Sequence, residues 1–223
     1  NFVTGLYSLN LATNVSTLIK YPLVENTTTS RFINGIGYNR NDNFLYGLLQ
    51  GTNQIVRIDA VGELEYLTIT GNFTTGNYSS GDIDDSGNLF LHGNNKFISI
   101  NLNPANPNYL VANNLLNYPL AINDIAFSPI DNNIYMITRA DAPRLNRFNI
   151  LKNPVYNLGI FSLLQAETTK TFGTAFMDNM GNLYVANNES GKIYRIASPH
   201  TGGLAATFYS NAMAGLNPGD GAR

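Results

Sequence analysis

The chain has 223 residues, of which 43% are hydrophobic and 13% charged, with a formal net charge of -2 and no cysteine. So little charge excludes the clustered Lys and Arg that displace counterions from nucleic acid. No apolar run approaches the ~20 residues that span a bilayer, and the lack of cysteine excludes disulfides and thiolate zinc sites.

Residues 1–24 open on Phe2 and read as strands two to four of a four-stranded unit with no first strand. Residues 31–70 supply a whole unit: INGIGY (33–38), the polar turn NRNDN (39–43), FLYGLL (44–49), the alternating QIVRID (54–59) and EYLTIT (65–70). Residues 78–112 repeat it with SGDID, NLFLHG, KFISIN and NYLVAN, the last running to 113. Residues 121–163 do so with INDIAF, NIYMIT, RLNRFN and VYNLGI, and residues 171–210 with FGTAFM, NLYVAN, KIYRIA and AATFYS. Residues 215–223, GLNPGDGAR, are similar to a first strand. The third strands alternate with a period of two, which puts their apolar residues on one face. The 34 asparagines suit the turns, because Asn tolerates left-handed backbone and caps a turn with its side chain.

The aromatics that follow the polar turns, Tyr46, Phe90, Tyr135 and Tyr184, are spaced by 44, 45 and 49 residues, and 44 residues before Tyr46 stands Phe2. Four short antiparallel strands per repeat of about 45 residues make a propeller blade. The expectation is therefore an all-β, five-bladed β-propeller of four-stranded antiparallel blades, one domain over residues 1–223. Its ring is closed by the C-terminal strand joining the N-terminal blade, so residues 215–223 complete residues 1–24. Gly35, Gly37, Gly81, Ala126, Gly173 and Ala175 fall on the first strands, where strands crowd and small residues fit.

The stretches INGIGYNRNDNFLYGL, SGDIDDSGNLFL, NDIAFSPIDNNIYMIT, GKIYRI and the terminal GDGAR resemble a repeat domain of large secreted or surface-anchored bacterial proteins. That domain is described as propeller-like and of unknown function. The resemblance covers nearly the whole chain. It implies an extracellular or cell-surface location, neighbouring domains of a longer chain, and no catalytic residues. The DxxGNLYV turn is similar, over one short motif, to turns of lactonase-type propellers.

Chemistry-bearing residues are few. Asp82, Asp84 and Ser86 stand at alternate positions before Gly87, like the start of a calcium loop. Gly93 takes the twelfth position, where that loop needs Glu, and an Asx-bonded turn is the competing reading. Asp82, Asp124 and Asp220 fall on or near first strands; they either project inward or hydrogen-bond neighbouring backbone, and the second is favoured. His92 ends a second strand and His200 lies in the loop SPHTGG; both read as solvated loop histidines. The five Glu fall in loops or outer strands. No cofactor is expected.

The longest and most varied loops join strands two and three or one blade to the next, and function concentrates in variable loops on a rigid frame. Among them TRADAPR (138–144) carries Arg139, Asp141 and Arg144, which suit a carboxylate or an acidic sugar. The competing reading has Asp141 hold the two arginines in a rigid loop. The functional expectation is a non-catalytic binding or adhesion module that meets a cell-surface glycan or protein, with no nucleic acid and no membrane insertion. The alternatives are a structural spacer or cap in a surface assembly and a calcium-dependent hydrolase of lactonase type.

Overall fold

Short alternating segments separated by Asn- and Gly-bearing turns pair with their sequence neighbours, which makes antiparallel meanders. The structure, a computed structural model, describes residues 4–24, 32–152, 154–212 and 220–223. In each full repeat the turn from first to second strand places one residue in left-handed backbone: Asn43 (φ 63°), Gly87 (φ 78°), Asn132 (φ 54°) and Gly181 (φ 76°). Only Gly and Asn take that conformation readily, which explains their recurrence at this point.

The chain divides into two units, Asn1–Tyr118 and Pro119–Arg223. The first begins with a two-stranded hairpin, β1 (Leu6–Asn10) and β2 (Val15–Lys20). Its first full sheet runs in sequence order through β3 (Ile33–Asn39), β4 (Phe44–Leu49), β5 (Gln54–Ile58) and β6 (Leu64–Thr68). Its second contains β7 (Thr70–Gly71), β8 (Tyr78–Ile83), β9 (Asn88–Gly93), β10 (Lys96–Asn101) and β11 (Val111–Asn117). The order there is β7-β11-β10-β9-β8, with the two-residue β7 parallel to β11 on the outer edge.

Sheets one and two share a buried apolar cluster that includes Tyr46, Leu48 and Ile55 from one and Tyr78, Leu89, Leu91 and Ile98 from the other. Their first strands approach closely: a Cβ on Gly81 would stand 2.4 Å from the Gly35 carbonyl oxygen. No side chain fits there, which is why both positions are Gly. The buried Gln50 clips the two sheets together as a strand residue would, donating to the Tyr78 carbonyl at 2.7 Å and accepting from its amide at 3.0 Å. The hairpin packs on sheet one through Leu6, Leu23 and Val24 against Ile33, Leu49, Val56 and Ile58.

The second unit holds sheet three, β12 (Ile122–Phe127), β13 (Asn133–Thr138), β14 (Arg144–Asn149) and β15 (Val155–Ile160). A single-turn helix α1 (Ser162–Gln165) leads to sheet four, β16 (Thr174–Met177), β17 (Leu183–Ala186), β18 (Lys192–Ile196) and β19 (Ala206–Asn211). Both sheets are antiparallel meanders in sequence order. Ala126, Tyr135, Ile137, Leu145 and Phe148 stand buried in sheet three, and most of them join Phe161, Phe172, Leu183, Val185 and Tyr194 in one cluster.

The fold is all-β and built of propeller-type blades, but there are four blades and not five. Of the three strands expected in residues 1–24, the described residues supply two, β1 and β2, joined by a tight turn in which the Asn10 side chain accepts from the Ala12 and Thr13 amides at 3.0 and 3.1 Å; the strand expected around Phe2 lies outside the described residues. The expected ring closure by a C-terminal strand is likewise overturned. Residues 220–223 form no strand, and a Cβ on Gly221 would lie 2.6 Å from the Thr174 side chain, beside β16 of its own unit. Phe2 and residues 215–219 lie outside the described residues.

Candidate functional site

The repeats build one polar constellation three times over. In sheets one, three and four the turn Asp receives the hydroxyl of the aromatic four or six residues on: Tyr46 donates to Asp42 at 2.6 Å, Tyr135 to Asp131 at 2.8 Å and Tyr184 to Asp178 at 3.1 Å. An arginine of the third strand faces each tyrosine in register, Arg57, Arg147 and Arg195. Arg147 reaches Asp131 at 4.0 Å and Arg195 donates to Asn182 at 3.1 Å. Burial, with the adjoining carboxylate, pushes the Tyr46 and Tyr135 hydroxyls above the ordinary tyrosine range and Tyr184 up to about 12. Protonated phenols bound to structural carboxylates make poor nucleophiles and poor bases, so these trios brace the turns.

Sheet two lacks the trio. Phe90 and Ser99 take the places of tyrosine and arginine, facing each other in register. Asp84 accepts from the amides of Ser86 and Asn88 at 3.0 and 2.8 Å, and Asn88 Nδ2 donates to it at 2.9 Å. This is Asx-turn geometry, so Asp84 and Ser86 are joined as turn residues. Asp82 instead accepts from the Ile83 amide at 2.8 Å. Among the described residues no group of three or more His, Asp or Glu is arranged to hold a metal ion.

Asp124 is fully buried and ties sheet three to sheet four, accepting from Ile125 at 2.8 Å and from Ala175 at 2.6 Å. Asp220 accepts from the Gly221 amide at 2.7 Å. The inward-projecting alternative thus gives way at Asp124 to backbone bonding across blades.

His92 corrects its sequence reading. It is 6% exposed, wedged beside Phe97 and Tyr118, with Nε2–H donating to the Tyr118 carbonyl at 3.1 Å. Burial pushes its imidazole below the ordinary value, and the hydrogen bond only partly opposes this. His200 lies in a 3-10 turn at Pro199–Thr201, against Gly181.

Glu167 was also hidden from the sequence. It is buried between α1 and sheet four, accepting from Tyr194 and, at 3.0 Å, from Lys192 Nζ. Burial pushes its carboxyl up, but hydrogen bonds from Tyr194, Lys192 and Ser190 outweigh that and hold it below the ordinary range. Lys170 Nζ donates to the carbonyls of Gln165, at 2.6 Å, and Glu167. The isolated E in QAETTK gives no hint of this, since its partners come from a strand 25 residues away.

The loop of sheet three differs from these. Its backbone is pinned at both ends: Arg139 donates its amide to the Ala121 carbonyl at 2.9 Å, and Arg144 to Thr138 Oγ1 at 2.9 Å. The Pro143 carbonyl accepts from Phe161 at 3.2 Å. Arg139, Asp141 and Arg144 are all exposed. No ion pair joins Asp141 to either arginine. The three charged groups are brought to one short loop, presented outward.

Three solved structures show the same fold class by superposition. A gluconolactonase from Xanthomonas campestris matches with a TM-score of 0.60 at 14% identity, over 89% of this chain and 67% of that one. A chain of a nidogen/laminin complex matches with a TM-score of 0.59 at 12% identity, over 95% and 97%. A streptogramin B lyase matches with a TM-score of 0.52 at 13% identity over 83% of this chain, which spans 57% of the lyase chain. At such identities the likeness carries the fold alone. A search of curated proteins by sequence gives no match. A family model described as "Repeat of unknown function (DUF6923)" matches residues 3–221.

Proposed function

Because the chain belongs to the family described as Repeat of unknown function (DUF6923), we propose a role read from its own surface: a non-catalytic binding module that grips an acidic ligand through Arg139 and Arg144. The observation that carries this reading is the pinned loop of sheet three, where two arginines and Asp141 stand exposed without pairing among themselves. Holding charged side chains apart on a fixed backbone lowers the ordering cost of meeting a partner. A guanidinium then offers paired hydrogen bonds to a carboxylate. The ligand class is a carboxylate-bearing glycan or an acidic protein segment on a cell surface, which goes with an extracellular or surface location.

The scaffold supports a non-catalytic role by where its ionisable groups are spent. Asp42, Asp131 and Asp178 brace turns, Asp124 joins backbones and Glu167 anchors a connector. The lactonase and lyase activities belong to structures that share the fold at 14% and 13% identity.

The test is the double variant Arg139→Ala/Arg144→Ala on an array of acidic and neutral glycans and on acidic peptides. The expected result is at least a tenfold loss of binding to acidic probes, or about 1.4 kcal/mol, with the melting temperature unchanged. Binding that survives the double variant, or that prefers neutral glycans, overturns the reading.

A further inference from the structure

The arginine loop of sheet three is tied to a second segment of its own unit. Asn123 on β12 is buried, and its Nδ2 donates to the Thr138 carbonyl at 3.2 Å and to the Lys170 carbonyl at 3.0 Å. One nitrogen thus joins the start of the loop to the end of the connector that carries α1. At the loop's other end the Pro143 carbonyl accepts from the amide of Phe161, the residue before α1. The loop (138–144) and the connector (161–171) are therefore fixed side by side, with α1 between the two joints in sequence.

Lys170 adds a third cation to this rim. It is half-exposed, and its Nζ donates to the carbonyls of Gln165 and Glu167. Both acceptors are neutral, so the ammonium is positioned without being neutralised, and two of its three donors are used. Glu167, the one carboxylate of the connector, is buried and bonded to Tyr194 and Lys192. The rim therefore turns Arg139, Arg144 and Lys170 to solvent against the single charge of Asp141, with the uncharged Ser162 and Gln165 exposed on α1.

Three cations spread over two fixed segments suit several acidic groups in a row better than one. Each guanidinium can hold both oxygens of a carboxylate, and the ammonium meets another as a point charge. Asp141 decides between the possible carriers. Towards an acidic peptide it is a like charge among the carboxylates, a repulsive element of the kind that sets specificity. Towards an acidic sugar it is an acceptor for the hydroxyls that flank the carboxylate on the same ring, and Ser162 and Gln165 offer further hydrogen bonds. We propose that this rim takes an acidic polysaccharide, a chain of uronic-acid-type sugars, with successive carboxylates on the loop arginines and on Lys170. The proposal rests on the binding role assigned above to Arg139 and Arg144. It makes affinity grow with chain length, because each further contact is intramolecular once the first is made.

The test uses the full chain and galacturonic acid as monomer, trimer and hexamer, with the methyl-esterified hexamer as neutral control and poly-glutamate of matched charge as acidic peptide. The hexamer is expected to bind at least tenfold tighter than the monomer, the ester not to bind, and poly-glutamate to bind more weakly than the hexamer. Lys170→Gln costs the hexamer several-fold and leaves the monomer unchanged, while Lys170→Arg keeps the tighter binding. Asp141→Asn strengthens binding to poly-glutamate and weakens binding to the hexamer, a reversal that loss of structure would not produce. Hexamer binding that survives Arg139→Ala/Arg144→Ala overturns the arginine reading and this proposal with it. If the double variant abolishes binding but neither chain length nor Lys170→Gln matters, the arginine reading stands and the polysaccharide track is overturned. Poly-glutamate binding as tightly as the hexamer overturns the sugar in favour of an acidic peptide.

Discussion

Sheets two and four share a turn and differ in what stands behind it. Both place an Asp where the first strand ends and a Gly in left-handed backbone three residues later, Asp84 with Gly87 and Asp178 with Gly181. Both carboxylates accept the amides two and four residues on, at 2.8–3.0 Å. Behind Asp178 stands Tyr184 with Arg195 opposite; behind Asp84 stands Phe90 with Ser99 opposite. Sheet two closes the gap with an amide pair, Asn101 Nδ2 donating to Asn88 Oδ1 at 3.0 Å. The side-chain cap at the end of the first strand is thus the part of the turn that all four blades keep, as Asp84 and Asp178 here and as Asn39 and Ser128 in sheets one and three, and the tyrosine–arginine layer is an added brace.

The strongest way to break that comparison is to remove the capping carboxylate from each sheet. Asp178→Ala leaves two amides, the Asn182 side chain and the Tyr184 hydroxyl without their acceptor in a buried setting. It is expected to cost about 3 kcal/mol in urea unfolding. Asp84→Ala opens a half-exposed turn that water can satisfy, and about 1 kcal/mol is expected. Equal losses would mean that the brace behind Asp178 carries no extra weight.

A smaller effect isolates the brace. Tyr135→Phe removes only the hydroxyl bond to Asp131 and is expected to cost about 1 kcal/mol. The reverse transplant, Phe90→Tyr with Ser99→Arg, gives Asp84 the partners it lacks, and a gain of about 0.5 kcal/mol is expected. If the transplant destabilises, sheet two has repacked around its asparagines and the braces are not interchangeable.

The smallest effect sharpens the comparison by pH. Burial pushes the Asp131 and Asp178 carboxyls up, but hydrogen bonds from Asn133, Ser128 and Tyr135, and from Asn182, Met180 and Tyr184, prevail and hold them below the ordinary 3.8. For a lowered carboxyl the stabilisation is present above 3.8 and fades as pH falls through the folded value, so sheets three and four weaken only in strong acid. Sheet two answers earlier. His92 is held below its ordinary 6.5, so as pH falls past 6.5 the unfolded chain binds a proton that the folded one resists, and stability declines. His92→Gln should flatten the stability profile between about pH 7 and 5. An unchanged slope would show that His92 is not the group responsible.

The repeats were legible because turn chemistry is local. The left-handed Asn and Gly positions, the period-two strands and the recurring aromatics each depend on a few consecutive residues, and they locate most strands of the four blades; the last strand of sheet two, expected at 108–113, runs over Val111–Asn117. The blade number was not legible, because the strand-like segments in residues 1–24 and 215–223 read like parts of a repeat, whereas among the described residues they yield only a two-stranded hairpin. Nor was the burial of His92, under a connector residue 26 positions on, or of Glu167, itself on a connector and held by a strand 25 positions on. Arg139, Asp141 and Arg144 were found by loop length and composition. Their lack of mutual pairing is a fact of geometry that no spacing encodes.

Asp124 bears on how the second unit comes apart. Its carboxylate holds an amide of its own strand and, across 51 positions, the amide of Ala175. With its side chain sealed from water, neither sheet can peel away without stranding that charge. The Ala175 proton should then exchange with deuterium only when sheets three and four open together, among the slowest of the unit, while the amides of β19 at its outer edge exchange by fraying.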